Sequence, residues 1–393
     1  MSSQQKYSTT AVFAAACIGM CFFGISMLVL GSVMPTLNEH FGLSNDQQTS
    51  LVTLLPIGIL CGSVVFGPIV DRFGHKIMLV GNCAIVLAAL LGVAYTQSLA
   101  VLQLSVFCIG FGGGVLNGET NGLVTDIYEG KTRNSRLSLL GVFYGLGALG
   151  IPMAMASLQK EYSYTVLLTA VGVILAVGVV YCMSVRFPAP KQPQGFPLKD
   201  AARVITSPAL LLLSFILFFQ SGTEGVTNNW TATLLTPRFA GDPAVAQIGL
   251  IAMLIGLTAA RLLQTVIFNR VSAGRVLVVS LIVCMAGFII LFATRQEWLV
   301  YTAMALIGAG LASTFPVILG VVGEKFAALS GTAFSVALFI ALLGQTALNF
   351  TVGEMADHGM VNDFPILLTA GLAIMLVLFA VYTYKFANKG TKP

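Results

Sequence analysis

The chain has 393 residues, of which 57% are hydrophobic and only 9% are charged. Soluble domains carry about 25% charged residues. This composition, with a mean hydropathy of +0.91, therefore excludes a water-soluble globular protein.

The hydrophobic residues fall into twelve runs, each near the length of about 20 residues that a helix needs to cross a bilayer. They lack the alternating pattern of barrel strands, so we predict an all-α membrane protein whose helices run up and down. The predicted spans are residues 11–35, 48–70, 77–95, 98–128, 137–158, 163–185, 209–236, 246–268, 276–294, 297–322, 332–353 and 365–384.

The basic residues predict the orientation of these spans, because cytoplasmic loops are enriched in Lys and Arg. With the N-terminus inside, 16 of the 20 basic residues are cytoplasmic: Lys6, Arg72, Lys76, Lys131, Arg133, Arg136, Arg186, Lys191, Lys199, Arg203, Arg270, Arg275, Lys325, Lys385, Lys389 and Lys392. Lys160, Arg238 and Arg295 lie outside. We expect a multi-pass protein of the inner (cytoplasmic) membrane, with both termini cytoplasmic and the first span retained rather than cleaved.

The longest connector, residues 186–208, has five prolines and four basic residues. It predicts a cytoplasmic linker, with a short surface helix near residues 198–205, between two six-helix halves at residues 1–185 and 209–393. Gly58 and Gly256 match at an offset of 198 residues, as do IGFG at residues 109–112 and IGAG at residues 307–310. We therefore predict a duplicated, pseudo-symmetric unit, which is the plan of many transporters.

The loop after the second span reads GPIVDRFGHK, residues 67–76. Its glycines allow a tight turn, and Asp71 can pair with basic groups or a helix N-terminus and lock one state. The loop resembles the major facilitator superfamily signature G-x-x-x-D-R-x-G-R-R/K, while an ordinary basic loop is the alternative. The matching residues are Gly67, Asp71, Arg72, Gly74 and Lys76, and His75 departs from the usual Arg. The resemblance implies a transporter with these five residues as its gating loop.

The fourth span contains GFGGGVLNGETNGLVTD, residues 110–126. A charged residue at the bilayer centre costs about 2.5–3.5 kcal/mol on insertion scales and usually faces protein or water. Because burial disfavours the anion, Glu119 can bind a proton on one side and release it on the other. We predict that it is a proton-coupling site; a structural Glu that holds helices together is the alternative. Asn117 and Asn121, on the opposite helix face, are candidate substrate-binding residues.

Residues 116–121, LNGETN, and residues 141–148, GVFYGLGA, look like the fourth and fifth spans of the fucose–proton symporter family. The resemblance implies a proton-coupled sugar transporter in which Glu119 takes the position of the family's protonatable Glu. Tyr144 falls on a sugar-contacting Asn of the family and is a candidate binding residue of different chemistry. The family's first-span Asp would fall on Gly31 and is absent.

The seventh span contains FFQSGTEGVTNNW, residues 218–230. Gln220, Glu224 and Asn228 recur every four residues and so share one helix face. Amides and a carboxylate suit a polyhydroxylated ligand, because each sugar hydroxyl donates and accepts hydrogen bonds. Asn229 and Trp230 extend this candidate binding wall, for which hydrogen bonding between helices is the alternative. Glu224 is either a sugar acceptor or a second proton-coupling residue.

Three further expectations concern two glycines and the remaining polar residues of the spans. The glycines beside Glu224, Gly222 and Gly225, are expected to let the helix break. Arg261 is a charge partner of a carboxylate such as Glu224, a residue that snorkels to the cytoplasmic edge, or a group that recognises an anionic substrate. Gln345 and Asn349, one turn apart, are candidate substrate-binding residues.

The three histidines, His40, His75 and His358, are predicted in loops. This placement argues against a histidine proton relay. We see no nucleotide-binding loop, catalytic pair or metal cluster in the sequence.

We therefore predict a transporter and not an enzyme, without cofactor or metal and with the proton gradient as its driving force. The predicted function is proton symport of a sugar or sugar derivative by alternating access. The alternatives are an exporter of drugs or amphipathic metabolites and a carrier of an organic anion. The expected partners are the small-molecule substrate and the lipid bilayer, not nucleic acid, and we expect a monomer.

Overall fold

The computed structural model describes residues 7–158, 161–192, 195, 197–239 and 244–387, and the regular elements in these residues are all helices, with no strand. The α-helices are α1 (Thr9–Phe41), α2 (Asn45–Phe73), α3 (His75–Tyr95), α4 (Leu99–Ile127), α5 (Gly130–Leu158), α6 (Tyr164–Ser184), α7 (Leu198–Ile205), α8 (Pro208–Arg238), α9 (Ala244–Arg270), α10 (Ala273–Ala293), α11 (Glu297–Leu311), α12 (Thr314–Lys325), α13 (Ser330–Asp357) and α14 (Phe364–Tyr382). Short 3-10 helices precede α13 and α14, and a π-helical turn, Thr383–Ala387, follows α14.

Twelve segments in this described part are long and apolar enough to cross a membrane, which confirms the predicted number. The tenth consists of α11 and α12, separated at Ala312 and Ser313. The remaining helix, α7, is the short helix expected in the linker. Lys6, Lys160, Lys389 and Lys392, on which part of the predicted orientation rests, lie outside the described residues.

Several helices extend beyond the predicted apolar runs. α1 continues to Phe41, although Pro35 lies within it, and ends at Gly42, whose φ of 58° gives a left-handed C-cap. α5 begins at Gly130, so its first turns contain the basic residues that follow. The physical reason is that backbone hydrogen bonding continues through polar residues until a cap stops it, whereas the apolar run marks only the part suited to lipid.

The described helices form two compact units. Unit 1 consists of residues 1–127, 140–201 and 326–335, and unit 2 of residues 128–139, 202–325 and 336–393. Each unit thus includes a short segment from the other half of the sequence, and the predicted division at residues 186–208 stays a prediction. The two segments begin 198 residues apart (326 minus 128), which is the offset of the sequence matches.

The glycines matched by this offset bring equivalent helices together in each unit. In unit 1, a Cβ on Gly58 of α2 or on Gly110 of α4 would meet the backbone carbonyl oxygen of the facing helix. In unit 2, Gly256 of α9 and Gly308 of α11 are in the same situation. Because glycine has no Cβ, the paired helices pack backbone against backbone.

Candidate functional site

The predicted gating loop in unit 1 is bound to the first residues of α13. Oδ2 of Asp71 accepts hydrogen bonds from the backbone N of Thr332 at 2.9 Å and from its Oγ1 at 2.8 Å, and Oδ1 accepts from the backbone N of Gly331 at 3.1 Å. Asp71 is only 2% exposed. Its carboxylate therefore satisfies N–H groups that a helix N-terminus leaves without partners.

The glycines of this loop have distinct roles. Gly74 has φ of 85°, a conformation that favours glycine, and it ends α2 and caps α3. Gly67 lies so close to Gly331 that a Cβ would meet its carbonyl oxygen, and its own N donates to Oγ of Ser335 at 2.9 Å. Arg72 and Lys76 are exposed. A gating role for these residues stays a prediction.

A buried ion-pair chain begins at the residue where the loop departs from the family signature. Nδ1 of His75 lies 2.8 Å from Oε1 of Glu119, and Nε2 lies 2.9 Å from Oδ2 of Asp126. Glu119 is 0% exposed and His75 is 6% exposed. Both imidazole nitrogens thus face carboxylate oxygens away from solvent, which is a favourable arrangement for a proton-bearing group between two acids.

The series of ion pairs and hydrogen bonds extends from Asp126 to Lys191 of the linker and to Ser330 of α13. Oδ1 of Asp126 lies 2.7 Å from Nζ of Lys191 and accepts from Oγ of Ser330 at 3.2 Å. Nζ of Lys191 also donates to Oγ of Ser330 at 2.6 Å. We call His75, Glu119, Asp126, Lys191 and Ser330 the His75 cluster; all five belong to unit 1.

The prediction that all three histidines lie in loops was wrong for His40, which lies in the last turn of α1, and for His75. His75 is the first residue of α3, where the turn at Gly74 directs it into the bundle. The other two, His40 and His358, are exposed. The misplacement of His75 arose because a His between Gly and Lys is typical of a basic loop, whereas its partners lie 44 and 51 residues further along the chain.

The two amides near Glu119 turn toward their own helix. Nδ2 of Asn121 donates to the carbonyl of Asn117 at 2.8 Å, and Asn121 is 8% exposed while Asn117 is half-buried. Tyr144, also half-buried, lies against Phe23, with ring centroids 5.3 Å apart. The structure therefore leaves these residues as candidates of unit 1 without assigning them a ligand.

The predicted binding wall of unit 2 is built on α8. Gln220 is 0% exposed and donates through Nε2 to the carbonyl of Leu311 at 3.1 Å, at the end of α11. Glu224 is half-buried, one turn later. Arg261 of α9 is 6% exposed and interacts electrostatically with Glu224, and its role as a charge partner stays a prediction.

Further along α8, Asn229 and Trp230 form a cluster with Asn349 of α13. Oδ1 of Asn349 accepts from Nδ2 of Asn229 at 2.9 Å and from Nε1 of Trp230 at 3.2 Å. Nδ2 of Asn349 donates to the carbonyl of Gln345 at 2.8 Å. Asn228 and Asn229 are exposed, whereas Trp230 is half-buried. The structure thus joins two of the predicted wall residues, Asn229 and Trp230, to the eleventh span.

The expectation that α8 breaks beside Glu224 was wrong, because α8 is continuous from Pro208 to Arg238. Its glycines instead allow α13 to pack closely against α8. A Cβ on Gly225 would lie 2.7 Å from Cγ of Gln345, and one on Gly222 would meet the side chain of Leu348. The glycines are therefore needed for close packing rather than for a helix break.

Several buried polar atoms have no hydrogen-bond partner among the described residues. In unit 2 they are Oε1 of Gln220, Oγ1 of Thr223, Oγ of Ser313 and Oγ1 of Thr314. They lie on α8 and at the junction of α11 and α12. Buried polar atoms normally have partners, so these are available to a water or ligand. No group of side chains suited to a metal ion was found in the described part of the chain.

Comparison with known proteins gives weak relatives in sequence. The protein TsgA homologue of Buchnera aphidicola subsp. Schizaphis graminum is 22% identical over 172 residues, 44% of this chain and 44% of that protein. The homologue of Erwinia tasmaniensis is 26% identical over 178 residues, 44% of this chain and 45% of that protein. The chain thus matches less than half the length of these relatives.

Solved structures are similar over nearly the whole chain. The transporter FucP in its outward conformation has a TM-score of 0.80 at 16% identity, covering 94% of this chain and 98% of that one. The proton:xylose symporter XylE has a TM-score of 0.78 at 15% identity, covering 96% and 95%. At such identities the likeness shows the fold alone, and it confirms the predicted resemblance of fold.

The family model described as Major Facilitator Superfamily matches residues 16–348. Members of this family are membrane transporters, which confirms the prediction that the chain is not an enzyme. The chain therefore belongs to the major facilitator superfamily and is a multi-pass membrane transporter.

Proposed function

We propose that this protein is a secondary active transporter that moves a sugar or sugar derivative together with a proton by alternating access. The observation that carries the proposal is Glu119, a carboxyl with no exposed surface in an apolar bundle, hydrogen-bonded to His75. An ionisable pair in this position is costly and is a functional-site hypothesis by default. A neutral, apolar pair of residues at these positions could not bind and release a proton, so proton coupling would explain why an ionisable pair is present.

The polar wall of unit 2 supports a neutral, hydroxyl-rich substrate. Asn228 and Asn229 are exposed amides, and Trp230 lies beside them with its N–H bound to Asn349. An amide offers both donors and an acceptor to a hydroxyl, and an indole offers an apolar face to a sugar ring. FucP and XylE, which share the fold, are a fucose:proton and a proton:xylose symporter by their descriptions.

An organic anion is the second candidate substrate, because Arg261 is a buried cation in the same unit. Its interaction with Glu224 favours the sugar, since the carboxylate already offsets much of the charge that an anion would need. Transport inward across the cytoplasmic membrane, cytoplasmic termini and a monomeric state complete the proposal.

The test is uptake into proteoliposomes under an imposed inward proton gradient. Radiolabelled L-fucose and D-xylose probe neutral sugars, and D-gluconate probes the anion. We expect accumulation of a neutral sugar that a protonophore abolishes and that Glu119→Gln removes, while Glu297→Gln, at an exposed acid in the first turn of α11, leaves it unchanged. Accumulation of gluconate alone would favour the anion carrier.

A binding screen keeps the proposal testable if these sugars are not carried. Purified protein is heated with panels of neutral sugars, sugar acids and cationic drugs, because a ligand that binds the folded state raises its apparent stability. Stabilisation by drugs and by no sugar would overturn the sugar assignment. Proton-driven uptake that survives Glu119→Gln would overturn the role of the carboxyl.

A further inference from the structure

We propose that His75 and Glu119 hold the transported proton jointly, in the hydrogen bond between Nδ1 and Oε1, so that its release breaks this contact and disturbs the His75 cluster. The inference rests on the proposed proton coupling and adds a second residue to it. His75 departs from the family signature, and it is identified here by the contacts of its two ring nitrogens with Glu119 and Asp126.

The proton count in the cluster follows from its contacts. Asp126 accepts from Lys191 and Ser330 through one oxygen and faces Nε2 of His75 through the other, so it is the anion and Nε2 carries a hydrogen. The 2.8 Å contact between Nδ1 and Oε1 then needs one more hydrogen. That hydrogen sits either on Nδ1, giving an imidazolium and a carboxylate, or on Oε1, giving a neutral imidazole and a carboxylic acid. Both forms contain the same number of protons.

Loss of this proton makes the contact unfavourable. The lone pair of Nδ1 would face a carboxylate oxygen at 2.8 Å with no hydrogen between them. The other oxygen of Glu119, Oε2, is buried and has no partner in the described part of the chain. An unpaired buried carboxylate is strongly disfavoured, so the deprotonated pair must separate and Glu119 must find new partners.

Separation of the pair acts on the start of α13. His75 is also bound to Asp126, and Asp126 is bound to Lys191 and Ser330, the first residue of that helix. The next two residues of α13 are held by Asp71. Movement of the imidazole therefore reaches the contacts that hold this helix N-terminus. Proton occupancy and these contacts become one linked equilibrium.

The other charged and titratable groups around the pair do not replace His75. Asp71 of α2 is already bound to α13, and Lys191 of the linker is bound to Asp126. Cys83 of α3 lies near Glu119 and beside Cys182 of α6, and both thiols are buried. Arg72 and Lys76 are exposed. Within the described residues, the imidazole is thus the base in contact with Glu119.

The first test measures the pair directly and needs no substrate. The chain has three histidines, so protein labelled with 15N in the imidazole rings gives few signals, and a His75→Gln variant assigns that of His75. We expect Glu119→Gln to move the pH at which His75 titrates by about 1–3 units. Glu224→Gln, which removes a carboxylate from unit 2, should leave it in place. A His75 signal whose titration is the same in the wild type and in Glu119→Gln would overturn the proposal.

The second test separates a proton-sharing role from a structural one. His75→Arg keeps a cation that can bind both carboxylates, but it holds its proton permanently. We expect this variant to lose most of its pH-gradient-driven uptake of the sugar that the wild type carries, while exchange of labelled for unlabelled sugar continues. His358→Arg, on an exposed loop, is the control.

The outcomes of this second test are distinguishable. A wild-type protein without proton-driven uptake would overturn the proposed function. Proton-driven uptake that is equal in the wild type and in His75→Arg would overturn the shared proton alone, because a purely structural cation would be replaced by arginine without loss. If His75→Arg loses both uptake and exchange, the 15N titration of His75 in the wild type and in Glu119→Gln decides whether the proton is shared.

Discussion

Nδ1 of His75 lies 2.8 Å from Oε1 of Glu119, although the two residues are 44 positions apart in the chain. This contact joins the first residue of α3 to an acid of α4. It gives the buried carboxyl a partner of opposite charge or a hydrogen-bond acceptor, depending on where the shared hydrogen sits. A membrane acid and a histidine at a helix N-terminus thus form one site.

Asp71→Asn should weaken the attachment of α13. An amide that keeps the shape of the carboxylate can accept fewer of the three hydrogen bonds from Gly331 and Thr332. Hydrogen bonds to charged groups contribute about 1.5–3 kcal/mol each, so we expect a lower free energy of unfolding and a lower thermal midpoint. Tryptophan fluorescence of detergent-solubilised protein measures both.

The matched control for Asp71→Asn is Asp46→Asn, which changes an exposed acid in the first turn of α2, the helix that also contains Asp71. It should change the midpoint little, since an exposed charge near a helix N-terminus contributes only about 0.3–1 kcal/mol. Equal effects of the two substitutions would contradict the special role of Asp71.

Gly58→Ala and Gly256→Ala should both destabilise the protein. In each case the new Cβ would meet a backbone oxygen of the facing helix, which cannot move aside as a side chain can. Overpacking of this kind typically costs about 1–3 kcal/mol, measurable as a fall in the thermal midpoint.

Gly81→Ala serves as the control for the glycine pair. Nothing lies within 4 Å of a Cβ at this helical position, so the substitution should be neutral or stabilise by about 0.5–1 kcal/mol. If all three alanine variants behave alike, helix propensity rather than close packing decides the outcome.

Asn349→Ala should weaken sugar binding and alter the environment of Trp230. The substitution removes the acceptor shared by Asn229 and Trp230, and two hydrogen bonds together contribute about 1–3 kcal/mol. The chain has two tryptophans, and Trp298 is 63% exposed. A Trp298→Phe background therefore leaves Trp230 as the fluorescent reporter of binding.

Thr346→Ala, at an exposed position of α13, is the control for that measurement. It should leave both the emission of Trp230 and the affinity unchanged. Unaltered emission and affinity in Asn349→Ala would remove this group from the proposed binding wall.

Glu224 and Arg261 should be energetically coupled. Arg261→Gln alone leaves Glu224 without its cation, and Glu224→Gln alone leaves the buried guanidinium without its anion. Breaking such a pair is costly, whereas replacing both partners is often tolerated. We expect the double variant to be more stable than the sum of single effects predicts, by about 0.5–3 kcal/mol in a double-mutant cycle. Additive effects would show that the two residues act independently.

The twelve spans, the linker helix near Leu198–Ile205 and the loop motif of residues 67–76 could be read from the order of residues alone. Lipid demands a long apolar run for every span, and a turn demands particular glycines, so these features are local. The acids Glu119 and Glu224 within the spans were also evident, because a carboxylate in an apolar run is conspicuous whatever it contacts.

Only the tertiary structure decided what these residues contact. His75 looks like a loop residue because its partners, Glu119 and Asp126, are distant in sequence. Gly222 and Gly225 look like helix breakers, yet they serve to admit α13, since the effect of a missing Cβ depends on what lies opposite. Hydrophobic patterning acts along one helix, whereas ion pairs and close packing act between helices. The membrane fold was therefore predictable from the sequence, and the partner of its central acid was not.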